Sequence, residues 1–276
     1  MLPVATQEWR TMNMVQEPQT IPELTLGVAV YDSERFLPAL FRSLESSSRP
    51  PGRILFIDDF SADSSASMVR RFAEENTRLR VDLVVHRTNA GVAATYNHIV
   101  SECHTEYLQI LDADDRPVGD YFRIVKPFLE GNYAAIITGL RTASRFVNAL
   151  ASLCSAVVPS TLPQWIPILG SVATRSGTIY KTSSLRQIAF PDPVFDGSDI
   201  LHLVDVRRTG TCRFVRSARV FYSVHAGAAT ARLPSTEYDA RLRSLGRGFW
   251  LYRVDLFLRK RLLRFLRVWL ASRTPS

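Results

Sequence analysis

Short apolar runs alternate with helical patterns through the first half of the chain, and this alternation limits the fold more than any other feature. Residues 24–30, LTLGVAV, and residues 53–57, RILFI, are each followed by apolar residues spaced along one helix face. Residues 81–85 and 107–112 repeat the pattern. Such an order is typical of α/β proteins, in which helices cover both faces of a mostly parallel sheet. We therefore predict an α/β fold of this kind.

Along the whole chain, helices are predicted at 34–44, 64–72, 91–102, 121–129, 146–157 and 200–206. Further strands are predicted at 133–138, 176–180, 211–216 and 219–224. The alternation of strands and helices becomes less regular after Gly139. The irregular region around Trp165, rich in Pro, is expected to line a cleft, although core packing of this indole is equally consistent with the sequence.

Acidic residues recur where the predicted strands end. The carboxyl ends of parallel strands lie along one edge of a sheet, where ligands of open α/β sheets bind. The sequence therefore predicts that three acidic groups meet at this edge: Asp32, then Asp58 and Asp59, and then Asp112, Asp114 and Asp115.

The last of these groups, in the segment YLQILDADDRP, follows a buried-type strand and suits a divalent cation. Mg²⁺ and Mn²⁺ prefer oxygen ligands, and packing like charges together is costly without a counter-ion. A solvated Asp-rich turn is the alternative for this segment alone. Asp58 and Asp59 have an alternative role as caps of the following helix.

Charge and composition exclude several classes of protein. The net charge is +8, but ten Lys or Arg and a single acid, Asp255, fall in residues 241–276, so the remaining chain is close to neutral. This distribution argues against a nucleic-acid partner. Three widely spaced cysteines indicate a reducing compartment, and no apolar run is long enough for a transmembrane helix. Neither a GxGxxG nor a GxxxxGK[ST] motif is present, which disfavours dinucleotide-binding and P-loop proteins.

Six segments in a fixed order resemble the inverting GT-A glycosyltransferases of family 2: VAVYDSERFL, FIDDFSADSS, NAGVAATYNHI, YLQILDADD, FDGSD and FYSVHAG. The resemblance covers about 24–227 and implies the GT-A fold, a Rossmann-like sheet flanked by helices. It implies a metal-dependent transfer of a sugar from a nucleotide-diphospho-sugar, UDP-linked, to a hydroxyl of a glycan or lipid-linked acceptor. The metal would be Mn²⁺ or Mg²⁺.

The resemblance also assigns roles to residues. Asp114 matches the metal-binding aspartate of the DxD motif, and His225 matches a position that faces the metal or the diphosphate. The expected contacts to the nucleotide-sugar come from Tyr31, Asp32, Asp59, Asn89, Asn97, Asp112 and Asp115. For Asn89 the alternative is a turn, for Asn97 a helix cap or bridge, and for His225 a structural hydrogen bond.

Asp199 matches the family's catalytic base, which would take the proton of the acceptor hydroxyl. An acid placed at a helix N-terminus for the dipole is the alternative. The chain departs from the family at Phe60 in place of Gly, Thr95 in place of an Arg that neutralises phosphate, and Ser198 in place of Glu. These departures motivate a second reading, a catalytically weak or inactive nucleotide-sugar-binding protein. A sugar-nucleotide pyrophosphorylase is disfavoured because no Gly-rich loop follows the first strand.

The chain divides into a lead-in (1–22), a glycosyltransferase domain (23–240, donor half 23–139 and acceptor half 140–240) and a basic tail (241–276). Residues 249–270 predict an amphipathic helix that would bind an anionic membrane surface, or else pack on the body or a second copy. The lead-in lacks the pattern of a secretory signal, so we expect a cytoplasmic protein, attached peripherally to the inner face of the plasma membrane. The QxxRW motif of processive synthases is absent, which favours single additions.

Overall fold

The computed structural model describes residues 20–145, 148–149, 151–152, 160–162, 174–190 and 198–223. Strands and helices alternate through this part of the chain in the predicted order. They are β1 (Ile21–Val30), α1 (Leu37–Glu45), β2 (Pro51–Asp58), α2 (Ser65–Glu75), β3 (Val81–Val85), α3 (Val92–Glu102), β4 (Tyr107–Asp112), β5 (Arg116–Pro117), α4 (Tyr121–Leu129), β6 (Ala135–Arg141), β7 (Thr161–Leu162), β8 (Thr178–Lys181), α5 (Thr182–Leu185), α6 (Ser198–Val206) and β9 (Cys212–Phe221).

The strands form one mixed sheet in the order β3-β2-β1-β4-β8-β6-β9-β5, with β7 beside β9. The four strands of the first half are all parallel, as are β6 and β9. β8 lies antiparallel between β4 and β6, which joins the two parallel parts. The predicted α/β sheet flanked by helices is confirmed, and its longer ladders are parallel.

Two hydrophobic clusters lie on the two faces of the sheet. Alternate residues of a strand point to opposite faces, so Ile54 and Phe56 of β2 join the cluster under α1, α2 and α4. Leu55 and Ile57 join the other cluster, under α3 and α6. α3 approaches β1 closely, because a Cβ on Gly27 would lie 2.2 Å from Cγ2 of Ile99.

Two predicted boundaries differ from the structure. β1 begins at Ile21, so regular structure starts within the segment expected to be a lead-in. The two strands predicted at 211–216 and 219–224 are a single strand, β9, whose register against β6 shifts between Thr138 and Gly139. The shift absorbs the polar residues that suggested a break in the sequence.

The C-terminal segment 249–270, Trp165, His225 and most of the helix predicted at 146–157 lie outside the described residues. Among the described helices, none is long and apolar enough to cross a bilayer.

Candidate active site

The loops that follow β1 and β2 are held together by side chains of the first two acidic groups. The amide of Asp32 donates to Ser61 Oγ (3.0 Å), and Asp32 Oδ1 accepts from the amide of Ala62 (2.8 Å). Asp58 is fully buried and accepts from both the amide (2.9 Å) and the hydroxyl (2.7 Å) of Ser61. Asp58 therefore stabilises this loop. At the start of α2, Asp63 Oδ1 accepts from the amide of Ser65 (2.9 Å).

Two exposed aromatic side chains lie in these same loops. Tyr31 is 53 % exposed and Phe60 is 55 % exposed, although large apolar groups are usually covered. Asp32 and Phe60 also adopt positive φ angles of 43° and 65°, which are unfavourable for residues with a Cβ. Exposed rings on a strained, cross-linked loop suit contact with a flat ligand more than they suit stability.

Asp59 fixes the turn that begins α3. Its Oδ1 accepts from the amide of Ala90 (2.8 Å) and lies 2.7 Å from His86 Nδ1, while its Oδ2 accepts from the amide of Gly91 (2.9 Å). Asn89 Oδ1 accepts from the same Gly91 amide (3.1 Å), in the turn predicted for this segment. Both oxygens of Asp59 are thus engaged by the turn before α3 and by His86, and Asp59 does not cap α2 as the sequence suggested.

The third acidic group forms a compact cluster at the end of β4. One carboxylate oxygen from each of Asp112, Asp114 and Asp115 lies within 4.8 Å of the others. Asp112 is already paired: its Oδ1 accepts from the Tyr96 hydroxyl (2.6 Å), and its Oδ2 lies 2.6 Å from Arg175 Nη2. Both oxygens of Asp112 are therefore engaged by the protein.

Asp115 is buried in a way that calls for a cation. It is 2 % exposed, and its Oδ1 accepts from the Ser223 amide (2.8 Å). Within the described residues its Oδ2 forms no hydrogen bond, although the Ser176 hydroxyl is close enough to stabilise the charge. Burial, followed by the charges of Asp114 and Asp112, raises the pKa of Asp115 well above its usual range. A divalent cation fits here, since it would satisfy the orphaned oxygen and offset the repulsion.

Arg175 is a site residue that the sequence did not reveal. Its side chain is 11 % exposed, and its guanidinium carbon lies 4.0 Å from the centre of the Tyr96 ring while its Nη2 pairs with Asp112. Burial lowers the pKa of Arg175, but the charges of Asp112, Tyr96 and Asp199 outweigh burial and raise it above the ordinary value. A buried cation thus stands beside the acidic cluster.

Asp199 lies in the first turn of α6, where a helix dipole favours an acid. Its charge acts on both Arg175 and Tyr180, which places α6 on the same side as the cluster. Asn97 is engaged elsewhere: its Nδ2 donates to the carbonyl of Phe190 (3.2 Å), and its Oδ1 accepts from the amide of Phe190 (2.9 Å). Asn97 bridges α3 to the segment that leads into α6.

Comparison with known proteins decides the family. The model of glycosyl transferase family 2 matches residues 25–188, which is more than half of the chain. The chain belongs to glycosyltransferase family 2. It is 25 % identical over 211 residues to the poly-β-1,6-N-acetyl-D-glucosamine synthase of Staphylococcus epidermidis, covering 71 % of this chain and 50 % of the relative. It is 24 % identical over 164 residues to the putative glycosyltransferase EpsE of Bacillus subtilis, covering 58 % and 59 %. The chain thus spans about half the length of the first relative.

Solved structures share the fold of this family 2 chain. TarS of S. aureus, residues 1–349 in complex with UDP-GlcNAc, aligns with a TM-score of 0.62 at 16 % identity, covering 84 % of this chain and 66 % of that one. The mannosyltransferase PcManGT of Pyrobaculum calidifontis, in complex with GDP-Man and Mn²⁺, aligns with a TM-score of 0.59 at 19 % identity, covering 82 % and 62 %. At such identities the likeness establishes the GT-A fold.

The structure locates the three departures from the family 2 pattern. Phe60 occupies the positive-φ position that suits Gly. Thr95 is buried, and its hydroxyl donates to the carbonyl of Gly91 (3.1 Å), so no cation stands there. Arg175, from a different part of the chain, places a cation over the ring of the neighbouring Tyr96. Ser198 is the first residue of α6.

Proposed function

We propose that the protein is a metal-dependent inverting glycosyltransferase that moves a sugar from a UDP-linked donor to a hydroxyl of a glycan or lipid-linked acceptor. The observation that carries this proposal is the buried, unsatisfied Oδ2 of Asp115 beside Asp114, at the edge of the sheet where α/β proteins bind ligands. Family membership supports sugar transfer, and the complexes of TarS with UDP-GlcNAc and of PcManGT with GDP-Man support a nucleotide-sugar donor.

We assign the metal to Asp114 and Asp115, with His225 as a further ligand. The last described residue, Ser223, donates to Asp115, so the chain leads past the cluster two residues before His225. When bound, Mn²⁺ or Mg²⁺ would neutralise the charge that develops on the leaving diphosphate. Arg175, oriented by Asp112 and by the Tyr96 ring, adds a second positive charge at the same edge.

The nucleotide would bind over the loops after β1 and β2. Tyr31 and Phe60 offer ring surfaces for a base, with Asp32 beside them. Asp59 and Asn89 act mainly by holding the turn at Gly91, and Asn97 acts by fixing Phe190. We choose UDP over GDP because the TarS complex contains UDP-GlcNAc.

Asp199 would be the base that deprotonates the acceptor hydroxyl. One displacement by the acceptor inverts the anomeric centre, and general-base catalysis of this kind is worth about 10²–10⁴-fold. An Asp199→Asn variant should keep UDP binding but lose sugar-nucleotide turnover, measured as UDP release from UDP-GlcNAc and UDP-glucose. Asp205→Asn, on the same helix, is the matched control and should retain turnover.

Thr95 and Ser198 favour a second candidate, a weakly active or inactive nucleotide-sugar-binding protein. The two candidates differ in turnover and share nucleotide binding. If turnover is present but indifferent to Asp199→Asn, the base assignment is wrong. Nucleotide binding without turnover in the wild type would favour the binding protein.

Calorimetric titration of UDP, GDP and dTDP, with and without Mn²⁺, tests the donor and the metal together. We expect UDP to bind only with Mn²⁺, and Asp114→Ala to abolish this binding. Asp120→Asn is the control, because Asp120 lies at the surface, where its carboxylate accepts from the Ser48 hydroxyl and from Arg123. Binding that ignores both Mn²⁺ and Asp114 would leave the fold intact and refute the metal mechanism.

We also propose that the tail attaches the enzyme to the inner face of the plasma membrane through residues 249–270. Liposome flotation with and without residues 241–276 tests this. Equal flotation of the two proteins would contradict it.

A further inference from the structure

An open cavity of about 660 Å³ lies under α1, and none of the described residues that line it belongs to the loops after β1 and β2. Residues from α1, from β5 and from the ends of β6 and β9 line it, and four of them are arginines: Arg42, Arg116, Arg141 and Arg145. Among the described residues that line the cavity there is no Asp or Glu. The chain outside the tail is close to neutral, so this is a local concentration of positive charge.

The sheet brings two of the arginines together. Arg116 of β5 and Arg141 of β6 both stand opposite Phe221 of β9, which runs between them. The guanidinium carbon of Arg116 lies 3.9 Å from the centre of the Phe221 ring, which holds that side chain in place. Burial, followed by the charge of Arg42, lowers the pKa of Arg116, so Arg42 is close enough to repel it.

The segment that carries Arg141 and Arg145 at the edge of the cavity is stabilised by hydrogen bonds. Asn148 Oδ1 accepts from the amide of Thr142 (2.7 Å), and Asn148 Nδ2 donates to the carbonyl of the same residue (2.8 Å). Across the cavity, the Ser43 hydroxyl donates to the carbonyl of Pro117 (2.5 Å) and ties α1 to β5. Within the described residues, none of the four guanidinium groups forms an ion pair.

We propose that this arginine cavity binds a phosphate or diphosphate group carried by the acceptor. The planar fork of a guanidinium matches phosphate oxygens. Among the described residues, none of the four arginines forms an ion pair with a carboxylate, so their combined charge favours an anion of more than one charge. The cavity adjoins the acidic cluster, because Arg116 follows Asp115 directly and Phe221 lies two residues before Ser223, which donates to Asp115. The assignment rests on the proposed sugar transfer, since it names the group by which an acceptor is held.

Titration of the full-length protein with inorganic pyrophosphate in the presence of a chelator tests the site. The double variant Arg42→Gln/Arg145→Gln should weaken binding by about tenfold, the size expected for two exposed charge-assisted contacts. Arg70→Gln/Arg71→Gln on α2 removes the same charge from another surface and should bind like the wild type. Arg42→Lys/Arg145→Lys, which keeps the charge, should restore part of the loss.

Sedimentation with phosphatidylcholine vesicles, with and without phosphatidic acid, separates the two sources of phosphate. Binding to phosphatidic acid that depends on Arg42 and Arg145 indicates a lipid-borne phosphate. If the binding of pyrophosphate depends on Arg42 and Arg145 but the binding of vesicles does not, the ligand is a soluble phosphate ester. Either result supports the site. Equal losses in both double variants, no loss in either assay, or glucuronate binding as tightly as pyrophosphate would overturn the proposal.

UDP binding with Mn²⁺, measured on the same wild-type protein, keeps this inference apart from the proposed function. If UDP, GDP and dTDP all fail to bind but pyrophosphate binds through Arg42 and Arg145, the proposed donor site is refuted and an anion site remains. If UDP binds but pyrophosphate ignores the arginines, the donor site stands and the arginine cavity has no ligand of this class.

Discussion

Replacing Arg175 with Gln tests the electrostatic core of the candidate site. The change leaves Oδ2 of Asp112 without its cation, while the Tyr96 hydroxyl remains on Oδ1. Removing one partner of a buried ion pair costs about 3–5 kcal/mol, because the other charge stays buried. The Asp112 side chain is 30 % exposed, so water offsets part of this cost. We expect the free energy of unfolding to fall by about 2–3 kcal/mol.

A double-mutant cycle isolates this interaction. Urea denaturation with a chelator present would be measured for the wild type, Arg175→Gln, Asp112→Asn and the double variant. Because neither charge is left unpaired in the double variant, it should be little less stable than the worse single variant. A coupling energy of about 2 kcal/mol is expected. Additive effects, within about 0.5 kcal/mol, would refute the view that Arg175 and Asp112 act as a pair.

Three further predictions concern packing, acid stability and the strained loop. Gly27→Ala should destabilise the fold by about 1–3 kcal/mol through the contact with Ile99. In urea denaturation, the Gly27→Ala/Ile99→Ala double variant should lose less stability than the sum of the losses of the two single variants. Burial lowers the pKa of His202 to about 4. The neutral ring therefore contributes up to about 3 kcal/mol to the free energy of unfolding above pH 6.5, and this contribution is lost as the pH falls from 6.5 toward 4. His202→Phe should remove that part of the pH dependence, and an unchanged profile would contradict the assignment. Phe60→Gly should relieve the strain of the positive φ and stabilise the fold by at most about 1 kcal/mol. The same variant should bind UDP more weakly in calorimetry. Unchanged UDP affinity would exclude a contact between Phe60 and the base.

The sequence predicts the strands, helices and strand ends that depend on short-range patterns of apolar residues. β3 and α4 occur where the apolar spacing places them, and the acids that follow β1, β2 and β4 lie at one edge of the sheet because those strands are parallel neighbours. Periodicity carries this information because each element buries one face or both.

Features made by distant residues could not be predicted in this way. Arg175 stands alone in an irregular stretch, and only its packing on Tyr96 and Asp112 reveals a role. The antiparallel placement of β8 has no local signal, since a short apolar strand looks the same in either direction. The arginine cavity likewise combines four arginines from distant parts of the chain, none of which stands out in the sequence.

One consequence of α3 concerns how this protein can change over evolution. Asp59 holds the start of the helix at Gly91, and Asn97 holds Phe190 six residues later, a rise of about 9 Å at 1.5 Å per residue. Inserting a single residue between these two points would turn Asn97 by about 100° around the axis and release the segment that leads to Asp199. The helix therefore acts as a spacer of fixed length between the turn at Gly91 and the segment at Phe190. Substitutions at its exposed positions are tolerable, whereas insertions and deletions are not.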